Sequence, residues 1–392
     1  MSSPSTLQHD YAKKVGCTLH MIELSENITY EVALAGDPSK PLVICYHGFP
    51  SANIMLYKHQ VQFLVDLGFY VAVPCLRGFG HSYAPKNVDA YRAIEVGKDI
   101  VNLVHKLGKT QCIAVAHDWG ALQCWHHSVI YPDIIKAIFI VSIPCWEGCP
   151  RLSNKMVVDP LMYAREIYNQ GQDQFEQFWY LSYHNNDYID SIGKAEDEYE
   201  GDLENMCRRM ISNTRREPES AIEELPSVGF FERPGANLKD TGWMSRMSKL
   251  KKGGNSFVSE DDVQFWVNQF QVSGFFGPVS YYRNVDRNFY DFEQYIGRKI
   301  TQPCSFICGG DDGCTKTNMW RGWLTPPEYD GVDQTIWQQA MREVVPNLQE
   351  IQIVPEKSHW ILMEAPKEVN EQLERFLTSD DVKVAMGLGS KM

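Results

Sequence analysis

Short apolar runs alternate with stretches of helical spacing through the first 143 residues of the chain. Leu42 to Tyr46, Phe69 to Pro74, Ile113 to Ala116 and Ile135 to Ile143 are near-continuous apolar segments, as expected of strands covered on both faces. Between them, Tyr57 to Leu67 sets Tyr57, Val61, Leu64 and Val65 at helical spacing, and Ala90 to Leu107 does the same with Ile94, Ile100, Leu103 and Val104. Cys17 to Leu24 and Ile28 to Leu34 flank Ser25-Glu26-Asn27 at hairpin spacing and predict an antiparallel edge. Strands alternating with helices predict a mostly parallel sheet in an α/β domain. Ligands of such sheets bind beyond the carboxyl ends of the strands, and His47, Asp118 and Pro144 all stand at such ends.

From Cys145 to about Phe292 the pattern changes. Strand-like runs become rare, and aromatics at helical spacing take over: Gln174 to Tyr183 is one aromatic helix, Glu196 to Met210 an acidic one, and Asp261 to Gln271 a third. Val228 to Gly254 shows no periodicity and reads as irregular loop. Sheet character returns at Cys304 to Cys308, which closes on Gly309-Gly310-Asp311-Asp312. A long polar and aromatic stretch, Gly313 to Val332, a helix from Gln338 to Val345, a last strand from Leu348 to Val354 and a closing helix from Pro366 to Leu377 follow. The division expected is a sheet core over residues 1–143, a helical cap over 144–292 and the second part of the core over 293–392.

Composition narrows the function classes. A formal charge of −13 and a pI near 5.3 exclude nucleic acid as a natural partner, because phosphate binding needs a basic patch. No apolar run approaches the roughly 20 residues of a membrane span, and Met1 to Val15 is polar without a signal-peptide core. The 11 cysteines are scattered, several within apolar strands (Cys45, Cys75, Cys112, Cys308), and none pairs with histidines at zinc-like spacing. They read as reduced, buried apolar residues of a non-secretory compartment. Ser390-Lys391-Met392 differs from the Ser-Lys-Leu peroxisomal address only in its last residue, so the expected locations are cytoplasm or peroxisome.

The chemistry is carried by one junction. Ile113 to Ala116 runs into His117-Asp118-Trp119-Gly120-Ala121 and then into helical spacing. A strand that turns sharply into a helix exposes the residue at its tip, the arrangement usually written G-x-S-x-G around a nucleophile. Here the tip is Asp118, and Ala116 takes the first glycine position. An aspartate at such a turn could also serve as a plain helix N-cap. As a nucleophile, a carboxylate gains little by attacking an acyl group, since the product is an anhydride. On saturated carbon it makes an alkyl ester that water can open. Asp118 therefore points to substrates with strain or a leaving group on sp3 carbon: epoxides or alkyl halides. His47-Gly48-Phe49-Pro50 would expose the Phe49 backbone N–H as one oxyanion donor, with the Trp119 N–H as the other. His359, in the loop after the last strand, would drive water onto the ester, oriented by an acid after the preceding strand. Asp311 and Asp312 compete for that place, and Asp312 is preferred.

His47-Gly48-Phe49-Pro50, Gly78-Phe79-Gly80-His81-Ser82, His117-Asp118-Trp119-Gly120 and Ser273-Gly274-Phe275-Phe276-Gly277 through Tyr282-Arg283-Asn284 together resemble the soluble epoxide hydrolases of the α/β-hydrolase superfamily, from about Cys17 to Leu377. The resemblance implies a mostly parallel eight-stranded sheet with an inserted cap, and no cofactor or metal. It also implies two lid tyrosines that hydrogen-bond the epoxide oxygen. Tyr282 matches the second; Tyr180 matches the first better than Tyr183 does. Phenols suit that task, because ring opening creates a strongly basic alkoxide. Ala121 stands where the family usually has a second glycine, and Ser51-Ala52 departs from its common Glu-Ser.

The expected activity is hydrolysis of a small apolar epoxide by water to a vicinal diol, by a monomer or homodimer. A haloalkane dehalogenase would use the same Asp–His–acid set, but it commonly holds the halide with an Asn at the position of Phe49. A non-catalytic α/β-hydrolase-like ligand receptor would have no need to keep Asp118, His359 and an acid together.

Overall fold

In the computed structural model, the structure describes residues 3–145, 152, 183–184, 194–211, 219–226, 242–254, 257–315 and 335–389. Ten strands are found among them: β1 (Thr18–Ser25), β2 (Ile28–Ala35), β3 (Leu42–Tyr46), β4 (Tyr70–Pro74), β5 (Cys112–His117), β6 (Ile135–Val141), β7 (Ile222–Glu224), β8 (Lys249–Leu250), β9 (Cys304–Gly309) and β10 (Leu348–Val354). Eight build one sheet in the order β1-β2-β4-β3-β5-β6-β9-β10, while β7 and β8 form a small separate ribbon. β1 pairs antiparallel with β2 and β2 with β4; every pairing from β4 to β10 is parallel.

The near-continuous apolar runs are this sheet's centre. β3, β4, β5 and β9 are buried at every residue, because helices cover both faces. The helices Ala93–Lys106 and Trp119–Ile130 pack on each other, and the second lies against β3, β5 and β6. Strand order reverses around β3, so β3 and β5 lie side by side and the loop after β3 stands next to the turn after β5. That is the crevice where open parallel sheets place their ligands.

Three expectations need revision. The helix expected over Tyr57–Leu67 is two short helices, Asn53–Leu56 and Val61–Asp66, with Tyr57 between them. The buried Tyr57 hydroxyl donates instead to the carbonyls of Tyr46 and Val115, an anchor into the sheet that helical spacing does not reveal. The acidic helix expected from Glu196 to Met210 breaks into Lys194–Gly201 and Leu203–Met210, because Asp202 turns extended and caps the second with its carboxylate on the Asn205 N–H. The stretch Val228–Gly254, expected to be loop, contains β8 and a 3-10 turn at Met244–Arg246 in its described part.

The described residues between 183 and 292 are mostly helical apart from that ribbon, and Trp243, Phe275 and Tyr282 from them pack their rings on Phe49 in the loop after β3. The helix Glu260–Ser273 is tied to the N-terminal helix Thr6–Val15 and to the core: Asp262 accepts from Tyr11 and from Lys58. Tyr180, the Gly313–Val332 loop beyond Thr315, and Ser390-Lys391-Met392 lie outside the described residues. None of the described helices is long and apolar enough to cross a membrane.

Candidate active site

Asp118 ends β5 with φ +56° and ψ −126°, a left-handed conformation uncommon for a residue with a Cβ. Its side chain makes no cap bond to the following helix, so the N-cap role is not what holds it there. The turn projects the carboxylate toward the loop after β3. There the Phe49 N–H donates to Asp118 Oδ1 at 2.6 Å. Two glycines permit this approach. A Cβ on Gly48 would collide with Asp118 Oδ1 and lie 2.6 Å from the Trp119 nitrogen, and one on Gly120 would lie 2.5 Å from the His47 carbonyl oxygen. The loop after β3 and the start of the following helix therefore approach each other closely beside the carboxylate.

The opposite oxygen, Oδ2, lies 3.4 Å from His359 Nε2. His359 Nδ1 lies 3.2 and 3.1 Å from the two oxygens of Asp312. Asp312 is buried and also accepts from the Cys314 N–H at 2.8 Å. Asp311 instead uses its backbone, donating to the Lys357 carbonyl. Of the two candidates, then, the structure brings Asp312 to the histidine.

Burial works against charge on all three groups, and their mutual contacts overcome it. Burial would raise Asp118, but His359, His117 and the Phe49 N–H hold its carboxyl below the ordinary range. Burial would likewise raise Asp312, but His359, the Cys314 N–H and Ser142 keep it low. Burial would lower His359; Asp312, Cys314 and Asp118 around it raise it well above the usual histidine range. These contacts all favour the charged form of each group: carboxylate for Asp118 and Asp312, imidazolium for His359.

Tyr282 is buried over this group. Its ring meets Trp119 edge-on at 4.6 Å and Phe49 at 5.3 Å, and His184 lies 4.1 Å away on another side. Tyr183 donates its hydroxyl to the half-buried carboxylate of Glu198 at 2.6 Å, which ties it to the helix Lys194–Gly201.

Four residues join the site without a clear signal in the sequence. His117 Nε2 donates to the His359 carbonyl at 2.8 Å, and the Ser142 hydroxyl reaches the same carbonyl at 3.3 Å. Ser142 has φ +74°, a strained position just past β6. His184 lines the cap side. Cys314, two residues beyond Asp312, places its thiol beside His359 and Asp118. Only His117 was visible as part of a motif.

Residues 41–323 match the family described as alpha/beta hydrolase fold. The chain belongs to that family. Within it, the chain is 28% identical over 361 residues to "Epoxide hydrolase A" of Mycobacterium tuberculosis, covering 92% of this chain and 97% of that protein. It is 26% identical over 378 residues to "Bifunctional epoxide hydrolase 2" of Sus scrofa, where 96% of this chain covers 56% of the relative. Among solved structures, Epoxide Hydrolase A from Mycobacterium thermoresistibile superposes with a TM-score of 0.72 at 26% identity, covering 92% of this chain and 98% of that one. The resemblance to soluble epoxide hydrolases therefore extends over most of this α/β-hydrolase chain.

Proposed function

We propose that this α/β hydrolase opens an epoxide to a vicinal diol through an ester of Asp118. The observation that carries the reading is the Asp118 carboxylate itself. One oxygen is fixed by a backbone N–H at 2.6 Å and the other faces a histidine at 3.4 Å, beneath a buried tyrosine. That arrangement leaves Oδ2 to attack. The Oδ2–C bond forms as the ring C–O bond breaks, and the alkoxide takes a proton from Tyr282, with Tyr180 as the proposed second donor. Esterification removes the charge that Asp118 lends to His359, so the imidazolium gives up its proton, which restores the tyrosine. Neutral His359, oriented by Asp312, then takes a proton from water as water attacks Cγ. Oδ1 carries the developing charge toward the Phe49 and Trp119 N–H groups. When the acyl C–O bond breaks, Oδ2 leaves within the diol as a hydroxyl that takes the remaining proton of the attacking water, and Asp118 returns to a carboxylate beside the imidazolium.

The apolar walls around this carboxylate (Phe49, Trp119, Trp243, Phe275) support an apolar substrate. The relatives' printed names support the same class. A single turnover of styrene oxide in oxygen-18 water tests the reading. Unlabelled diol in the first turnover, with label in the Asp118 peptide, is the expected result. Label passing directly into that diol would mean that water, not Asp118, opens the ring; halide release from a bromoalkane without diol formation from epoxides would favour the dehalogenase instead.

A further inference from the structure

Cys314 takes no step in the hydrolysis proposed above, yet its thiol points into the reacting group. Ligand atoms of Asp118, Cys314 and His359 all lie within 4.8 Å of one another, the only such His/Cys/Asp/Glu group among the described residues. The geometry points to a soft-metal site here: a zinc-class divalent cation bound by the Cys314 thiolate, a His359 ring nitrogen and an Asp118 oxygen, which blocks the nucleophile reversibly.

Three features carry this. Tetrahedral zinc with bonds near 2.0–2.3 Å sets its ligand atoms roughly 3.3–3.7 Å apart. Asp118 Oδ2 and His359 Nε2 already stand 3.4 Å apart, so two ligands need almost no movement. The chain of contacts behind the histidine is also that of a zinc ligand. Its Nδ1 faces the buried Asp312 carboxylate at 3.1 Å, the outer carboxylate that commonly fixes the tautomer and orientation of a metal-binding imidazole. Finally, the donor set discriminates. Thiolate with imidazole and carboxylate suits zinc or cadmium, whereas magnesium and calcium want oxygen alone. Three protein ligands leave a fourth place for water. On binding, the metal–sulfur bond replaces the S–H bond and the imidazolium and thiol protons leave to solvent; no redox change occurs. Cys314 is half-buried and next to a crevice, while the other nine described cysteines are buried, so the metal has one thiol within reach among them.

The site is tested on the intact protein in two ways. Cadmium titration should develop the ultraviolet thiolate-to-cadmium charge-transfer band at one equivalent. Buffered zinc should stop epoxide turnover, with recovery on adding a chelator. In Cys314→Ser the band should vanish and zinc sensitivity, read against that variant's own metal-free rate, should fall at least about tenfold, the loss typical of removing a ligand or its support. An undiminished band or unchanged zinc inhibition in Cys314→Ser overturns the proposal, as does the absence of the band in the wild-type protein. The cadmium band does not depend on any substrate. A protein that shows it but turns over no epoxide keeps the metal site and loses the proposed activity.

Discussion

At the scale of single residues, each role assigned to the site makes a separate kinetic demand. His359→Gln removes the base that the second half-reaction needs and leaves the nucleophile in place. The enzyme should then alkylate once and stop: intact-mass measurement should show one substrate mass added, with steady turnover down by about 10³-fold or more. Rapid full turnover in that variant would remove His359 from the mechanism. Asp312→Asn keeps the shape but allows the wrong tautomer, and kcat should fall by about 10³–10⁴-fold. Asp311→Asn, which leaves the Asp312–His359 contact in place, should lower kcat far less. Reversed effects in this pair would move the acid to Asp311. The sequence alone placed both aspartates after the right strand. It could not choose between them, because the choice depends on which side chain the Gly309–Thr315 turn directs inward, and that turn is closed by backbone bonds such as Asp312 N–H to Gly309 O.

At the scale of elements, the helices described between residues 194 and 292 have to hold Tyr282 in place, and Arg283 is the fastening next to it. Its guanidinium grips Glu196 through two bonds of 2.7 and 2.9 Å and donates to the His184 carbonyl at 3.0 Å, with Arg283 and Glu196 both buried. This pair binds the turn that carries Tyr282 to the helix Lys194–Gly201 and to the strip behind the pocket. Removing one partner of a buried pair strands the other, which typically costs about 3–5 kcal/mol. Glu196→Ala should therefore lower the melting temperature and reduce the alkylation rate, with the ester-hydrolysis rate changed far less, since His359 and Asp312 sit on the sheet. Equal slowing of both steps in single-turnover traces would show that Glu196 does not act through Tyr282. The strands were readable as apolar runs because burial on both faces leaves no other pattern. The stretch from 194 to 292 was readable only as helical in kind. Its breaks are set by single capping residues such as Asp202, and its anchors, Tyr183 on Glu198 and Arg283 on Glu196, join residues that no local spacing connects. Cys314 was hidden for the same reason: a thiol two residues beyond an acid becomes part of a site only once the last strand brings His359 to it.

At the scale of the whole molecule, the buried histidines set how the fold responds to acid. Burial pushes His47, His117 and His126 down to about 4 and His127 to about 3, and each spends a ring nitrogen on a backbone partner. In the unfolded chain these rings titrate near 6.5. Between about pH 6.5 and 4 the unfolded state therefore binds up to four protons at these rings that the folded state refuses, which lowers stability as pH falls, while Glu364, raised by burial to about 7, takes up one proton in the folded state and offsets part of the loss. A fall from 6.5 to about 4 corresponds to a limit of roughly 3.4 kcal/mol and one to about 3 to roughly 4.8 kcal/mol, so the four together rival the ~5–15 kcal/mol that holds a typical protein folded. His359 has the opposite sign. Its raised value stabilises the fold fully below 6.5 and is lost only as pH rises through its folded value, so it does not offset the decline. Asp118 and Asp312 are depressed; their contribution is present above the usual carboxylate range and fails only below about pH 4. The expected outcome is a melting temperature that falls by several degrees between pH 7 and pH 5, at roughly 1 °C per kcal/mol for a chain of 392 residues. The slope of unfolding free energy against pH in that range should correspond to several protons taken up. His126→Phe, beside Phe292 at 4.4 Å, should remove about one of those protons. A melting temperature flat from pH 7 to 5 would mean that the folded state already accepts these protons, and that the rings are less sealed from water than their packing implies.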